Sequence, residues 1–278
     1  MIDCTALSEN LIEEVEVYSF QDGLCNSCLA PLICEKKTPL LVNGREVARL
    51  LALDTEIEEL ALGFLFTECL IDSPDEVRSL RLDREKWLVE VELTRPLADG
   101  LPDHVEFFTN GGRGRTFLSR WFKEKVTAVK SDYQIDCRII SSLMGQIQES
   151  SALFRSTGGV HTAALAVDGA IIHFSEDIGR HNALDKVIGH ALRNRWPLPE
   201  SAMLLSTGRI SSETIVKAVR AGIAFLVSHS APTLGALHIA RAQGITLVGF
   251  ARGRRFILYS HAQRVKAAPG SISVTDSL

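Results

Sequence analysis

Residues 203–260 read MLLSTGRISSETIVKAVRAGIAFLVSHSAPTLGALHIARAQGITLVGFARGRRFILYS, and this stretch decides the fold. The apolar run 203–205 ends in Ser206-Thr207-Gly208-Arg209. Ser211 or Ser212 then caps a helix over 213–221, and Gly222 closes it. A second apolar run, 223–228, ends in His229-Ser230-Ala231-Pro232-Thr233. A further helix runs to Gln243 and stops at Gly244. Residues 245–250 form a third strand, and 256–260 a fourth after the basic turn 251–255. Strand, helix, strand, helix, strand is the pattern of parallel βαβ units. The chain is therefore expected to be α/β.

Upstream, residues 157–186, TGGVHTAALAVDGAIIHFSEDIGRHNALDK, hold two short apolar runs at 163–167 and 170–174. Asp168-Gly169 between them is a two-residue hairpin signal. Glu176-Asp177-Ile178-Gly179-Arg180-His181 follows directly and leads into a helix. Charged groups crowded where a strand runs into a helix commonly face a ligand. Further upstream, strands are expected at 31–42 and 45–51 around Asn43-Gly44, and at 77–82 and 88–93. Asp54 is the expected N-cap of a helix over 56–67, whose Leu60, Phe64 and Leu65 share an apolar face. Residues 96–102 read as a loop and 105–108 as a strand leading into Asn110-Gly111-Gly112-Arg113-Gly114. A Lys-rich helical region and a helix at 139–154 come next. Residues 1–30 read as irregular. Two parts result: a smaller α+β part over 1–115 and an α/β domain over 125–278 that carries the pocket.

The chain has 278 residues, 46% hydrophobic and 23% charged, with a formal net charge of −4, which argues against a nucleic-acid binder. No apolar run is long enough for a transmembrane helix. The first residues, MIDCTALSENLIEEVEV, lack the features of a signal peptide, so a cytoplasmic location is expected. Six cysteines are too few for a disulfide scaffold of this size.

In a parallel α/β sheet, ligands bind beyond the carboxyl ends of the strands. Ser206, Thr207, Gly208 and Arg209, and then Ser230 and Thr233, stand at two such ends beside helix N-termini, where free amides favour an anion. Arg252, Arg254 and Arg255 at the third end form a phosphate fork. The same serines and threonines are also ordinary helix caps. There is no Walker loop, and no GxGxxG opens a helix. His161, Asp177, Arg180 and His181 are expected to bind and orient a ligand. The spacing of His161, His173 and His181 matches no common zinc pattern, and no metal is expected. A deaminase-like site at His161, His173 and Glu176 ranks last, because PCxxC is missing. Cys25-Asn26-Ser27-Cys28 is the one CxxC, readable as a redox pair or as half of a zinc site. Cys69 and Cys137 read as buried small hydrophobes.

ALGFLFTE (61–68), TGGVHTAAL (157–165), EDIGRHNALDK (176–186), STGRISSE (206–213), SAPT (230–233) and LVGFARGRRFILYSH (247–261) together resemble the formate dehydrogenase accessory proteins, the FdhD/NarQ family. The resemblance runs from about residue 38 to 265. It implies a cytidine-deaminase-like fold without the zinc site. It also implies a sulfur carrier that takes sulfur from a cysteine desulfurase as a persulfide. That sulfur would pass to the bis(molybdopterin guanine dinucleotide) form of the molybdenum cofactor for formate dehydrogenase. The family's cofactor-binding stretch matches Phe250, Ala251, Arg252, Gly253, Arg254 and Arg255. The family's persulfide cysteine falls at Gly111, and glycine has no thiol. For the sulfur-carrier reading Cys25 and Cys28 are the substitute thiols; the alternative is a cofactor-binding chaperone without sulfur transfer. A homodimer is left open.

Overall fold

The computed structural model describes residues 11–97 and 127–267. The Asn110–Gly114 loop, the strand expected at 105–108 and the Lys-rich helical region lie outside the described residues. Contrary to the irregular start expected, β1 (Ile12–Gln21) and β2 (Leu24–Ile33) form a long antiparallel hairpin. Its turn is Asp22-Gly23, both with positive φ. The strand expected at 31–42 therefore ends at Ile33 and restarts as β3 (Lys36–Val42).

β3, β4 (Arg45–Ala52), β5 (Val77–Asp83) and β6 (Leu88–Leu93) make a four-stranded sheet in the order β4-β3-β6-β5. Asn43-Gly44 turns β3 into β4 as expected, with both residues at positive φ. Between β4 and β5 lies α1 (Ile57–Thr67). Its N-cap is Glu56 in the left-handed region, not Asp54. Asp54 is drawn away by Lys36 at 2.8 Å and Arg84 at 3.5 Å.

The expected helix at 139–154 is two helices, α2 (Cys137–Ser150) and α3 (Ala152–Thr157), broken at Ser151. β8 (His161–Val167) and β9 (Ala170–Asp177) flank Asp168-Gly169, after the short β7 (Ile135–Asp136), which pairs with β14 (Val265–Lys266). Then follow α4 (Arg180–Asn194), β10 (Met203–Ser206), α5 (Ser212–Arg220), β11 (Phe225–Ser228), α6 (Leu234–Ala242), β12 (Thr246–Arg252) and β13 (Arg255–Leu258). The six-stranded sheet has the order β13-β12-β11-β10-β8-β9. Its centre, β10-β11-β12, is parallel, as the βαβ pattern requires, and the outer pairings are antiparallel.

Alternation along these strands sorts the core. Ala164, Met203, Leu205, Phe225 and Val227 pack against Ile140, Leu143 and Ile147 of α2. Ala163, Leu165, Leu204, Leu226 and Leu247 face the other way, into one continuous core with α1, α4, α5 and the four-stranded sheet. The two parts distinguished in the sequence thus share this core, which holds Leu40 and Val91 as well as Ile215 and Leu247. Among the described residues no helix is long and apolar enough to cross a membrane.

Two glycines set the α1–α4 contact. A Cβ on Gly63 would lie 1.9 Å from the Asp185 carbonyl oxygen, and one on Gly189 1.9 Å from that of Glu59. Gly63→Ala and Gly189→Ala each collide with backbone, which cannot rotate away. Each is expected to lower unfolding free energy by about 3 kcal/mol or more despite the better helix propensity of alanine. Urea denaturation followed by circular dichroism measures this; wild-type stability in either variant would refute the tight contact.

Candidate functional site

A cleft of about 440 Å³ opens at the carboxyl ends of β10 and β11. The junction of α2 and α3 supplies Ser151, Phe154 and Arg155, and the start of β8 supplies His161. The loops after β10 and β11 add Thr207 and His229. The position is the one a parallel sheet dictates.

The chain gives these loops their shape through its own side chains. Gly208 N–H donates to Ser206 Oγ (3.1 Å), and Ser228 Oγ donates to the Gly208 carbonyl (2.6 Å). Thr207 Oγ1 accepts from Thr162 N–H at 3.0 Å, while Thr233 Oγ1 caps α6 by accepting from Ala236 N–H. Ser206, Thr207 and Thr233 were expected to face an anion; the structure engages these hydroxyls with backbone instead. Gly208 is required because a Cβ there would come within 2.7 Å of Arg180 Cβ. Ser230 N–H donates to Ser228 Oγ, and the Ser230 carbonyl accepts from Phe250 N–H, which ties the second and third loops together.

The charged residues divide sharply. Asp177 is fully buried, with Lys186 Nζ at 2.6 Å and the N–H groups of Leu53 and Gly179 donating to its carboxylate. Asn182 Nδ2 donates to it as well. Its carboxylate is thus engaged in the interior rather than turned to the cleft. Arg180 is different. It is the first residue of α4, and its Nε is buried without a partner. Burial, and then the nearby charge of Arg209, hold its guanidinium below the usual arginine range. The first turn of α4 carries no acid to complement the helix dipole. His161 is lowered by burial and then by Arg180. His181 is lowered to about 3 by burial first, then by Lys217 and Arg180. Glu213 Oε2 lies 3.3 Å from His181 Nε2, but not in line for a hydrogen bond, so neither ring nitrogen has a partner. Arg180, Arg209 and His181 thus make a cationic, underpaired corner that can receive an anion, next to the cleft lined by Ile178 and Thr207 rather than in its lining.

The turn Phe250–Arg255 forms the outer rim. Phe250 and Gly253 take positive φ, Ala251 is buried, and Arg252, Arg254 and Arg255 are exposed. Arg252 Nε donates to the His229 carbonyl at 3.2 Å, which joins this rim to the cleft.

Sequence reading missed the wall built by Phe154 and Arg155. Glu176 positions it: its carboxylate accepts from Ser151 Oγ at 2.5 Å and from Phe154 N–H at 3.3 Å. The double glycine after Thr157 was the available signal for a helix end there. His161, His173 and Glu176 do not converge. His173 and Glu176 stand three residues apart on β9, hence on opposite faces. His173 bonds Glu56 instead, at 2.7 Å. The CxxC fails as a pair for the same reason. Cys25 and Cys28 are exposed on β2, on opposite faces and about 10 Å apart along the strand, too far for one disulfide or one metal ion. Cys69 is buried as expected, whereas Cys137 is half-buried at the start of α2. Gly111 lies outside the described residues.

Known proteins resemble this chain along most of its length. The model of the FdhD/NarQ family matches residues 33–266. A protein of Shouchella clausii named sulfur carrier protein FdhD is 34% identical over 94% of this chain and 99% of its own. One of the same name from Bacillus subtilis is 33% identical over 90% and 96%. A crystal structure from Desulfotalea psychrophila, described as a formate dehydrogenase accessory protein, superposes with a TM-score of 0.74 at 24% identity, covering 92% of this chain and all of that one. That last likeness carries the fold.

The state of His181 has a consequence for stability. With its folded pKa near 3 and an unfolded value near 6.5, its contribution is complete above about pH 6.5 and is lost as pH falls toward 3. Between pH 7 and pH 5 this one group should remove about 2 kcal/mol. The difference in unfolding free energy between those two pH values should shrink by that amount in His181→Gln. An equal loss in variant and wild type would show that the buried imidazole is not neutral.

Proposed function

Because this chain belongs to the FdhD/NarQ family, we propose that it is an accessory protein of formate dehydrogenase that holds the bis(molybdopterin guanine dinucleotide) cofactor at the cleft between β10 and β11. The observation that carries this reading is the underpaired guanidinium of Arg180 beside Arg209, at the N-terminus of a 15-residue helix. Two like charges in a half-buried corner repel each other, and an anionic ligand removes that cost. In this reading Arg180 and Arg209 hold one phosphate and His161 orients it. Arg252, Arg254 and Arg255 reach the next phosphate from the rim. Phe154 and Ile178 give the flat ring system an apolar wall. The antiparallel β8 and β9 beside a parallel centre support a deaminase-like ancestry for this sheet.

A second reading, sulfur relay, is favoured by one observation: Cys25 and Cys28 are exposed thiols. A thiolate there would attack the sulfane sulfur of a cysteine desulfurase persulfide. The donor S–S bond breaks, a new one forms, and the donor leaves as a thiolate.

Two measurements test these readings. GDP, the nucleotide end of the cofactor, should bind wild-type protein in calorimetry. Arg180→Ala, Arg209→Ala, Arg252→Ala and Arg255→Ala should each weaken it by roughly 1.5–3 kcal/mol, a factor of 10 to 100 or so. Affinity unchanged in all four would remove the site assignment. Incubation with a cysteine desulfurase and cysteine should add the mass of one sulfur atom, and Cys25→Ser with Cys28→Ser should abolish the addition. If no cysteine takes up sulfur, the relay reading falls and cofactor binding stands alone.

A further inference from the structure

Glu56, His173 and His190 lie 134 residues apart at their extremes, yet the fold brings one ligand-capable atom of each to within 4.8 Å of the other two. Glu56 is the N-cap residue of α1, at φ 50° and ψ 39°, where a side chain other than glycine is strained. Its carboxylate makes no capping bond and reaches His173 Nε2 instead, at 2.7 Å. His173 stands on β9, the edge strand, with Ser175 Oγ 3.1 Å from the same nitrogen. His190 comes from the middle of α4, and its ring lies flat on that of His173, with centroids 3.6 Å apart and planes within 2°. All three residues are half-buried, with side-chain exposures of 27% for Glu56 and 18% for His173, so solvent ions can reach them.

Two imidazoles and a carboxylate offer a divalent cation two ring nitrogens and one carboxylate oxygen. That is the donor set of an open zinc site with three protein ligands. A tetrahedral ion with bonds of about 2.1 Å keeps its ligand atoms about 3.4 Å apart. The trio must therefore close by little more than an ångström at most, and the stacked rings must splay. Glu58 and Glu59, on the first turn of α1, hold Arg193 at 3.1 and 2.7 Å, so their charges offset that guanidinium beside His190.

We propose that Glu56, His173 and His190 form a binding site for one divalent d-block cation of the zinc class, which would fasten the start of α1 to β9 and α4. The site is separate from the cleft and does not depend on how the cleft is used. No short motif encodes it, because each ligand comes from a different element.

The test uses the full chain, stripped with EDTA and titrated with Zn²⁺ against a chromophoric chelator, and in parallel with Co²⁺. One equivalent should bind. Glu56→Gln and His190→Gln should each weaken it at least about 100-fold, since even outer partners of metal ligands contribute up to that factor. Cobalt should show ligand-field bands without a thiolate charge-transfer band, which separates this site from the six cysteines. Should either variant unfold, the wild-type spectrum still decides, together with a rise in wild-type Tm on adding Zn²⁺. Failure to bind one equivalent, equal affinity in folded variants, or a thiolate band would overturn the proposal.

Discussion

The backbone-to-backbone contact of α1 and α4 is the constraint on which the rest of the structure depends. Gly63 and Gly189 let the two helices touch through their main chains. At that separation α1 and the loops at its ends reach the buried lysines and Arg220. Lys217 Nζ reaches Asp185 at 2.8 Å and donates also to Thr67 Oγ1. Lys186 reaches Asp177 at 2.6 Å and donates to Thr55 Oγ1 and the Glu176 carbonyl. Arg220 donates to the carbonyls of Phe66 and Ile71. Every one of these bonds but the Lys186 contacts to Asp177 and Glu176 and the Lys217 contact to Asp185 joins the first third of the chain to the last. Separating the helices would expose both ion pairs and break the bonds to Thr55, Thr67 and the Phe66 and Ile71 carbonyls. That is why the four-stranded and six-stranded sheets share one core.

Much of this was legible in the sequence. Glycines 222 and 244, both at positive φ, stop α5 and α6 where the pattern places the helix ends. Asp168-Gly169 and Asn43-Gly44 are turns with both central residues left-handed, as their side chains favour. The hairpin of β1 and β2 escaped although Asp22-Gly23 announces its turn. Its strands expose side chains on both faces, so no inward-facing alternation marks them. The break at Ser151 carries no proline or glycine. It rests on a bond from Glu176, 25 residues away, which local sequence cannot reveal. Asp54 fails as a cap because Lys36 and Arg84 outcompete the helix amides for it.

For the cleft, residue types were legible and their engagement was not. Asp177, Thr207 and Arg180 look equally functional as letters. In three dimensions Asp177 is enclosed by four donors and Thr207 bridges to Thr162, while Arg180 Nε has no partner. The difference follows from position. Asp177 points back from the end of β9 into the α1–α4 core, where Lys186 needs a counter-charge. Arg180 sits one step beyond Gly179, on the first turn of α4, where its charge opposes the helix dipole.

A folded chain keeps such an opposition only if something offsets it. The first turn of α4 holds Arg180 and His181 and no acid, and Arg209 adds a second guanidinium. Glu213 is close enough to moderate Arg180 but not to pair with it, and it is misaligned with His181. The two buried lysines have carboxylate partners, Lys186 in Asp177 and Lys217 in Asp185, and buried Arg264 has three oxygen acceptors, whereas Arg180 Nε has none. Arg180 also packs against Gly208, in the loop at the end of β10 where the parallel sheet directs ligands. An anion bound there would supply the charge that the sequence leaves out, as Asp185 does for Lys217 in the core.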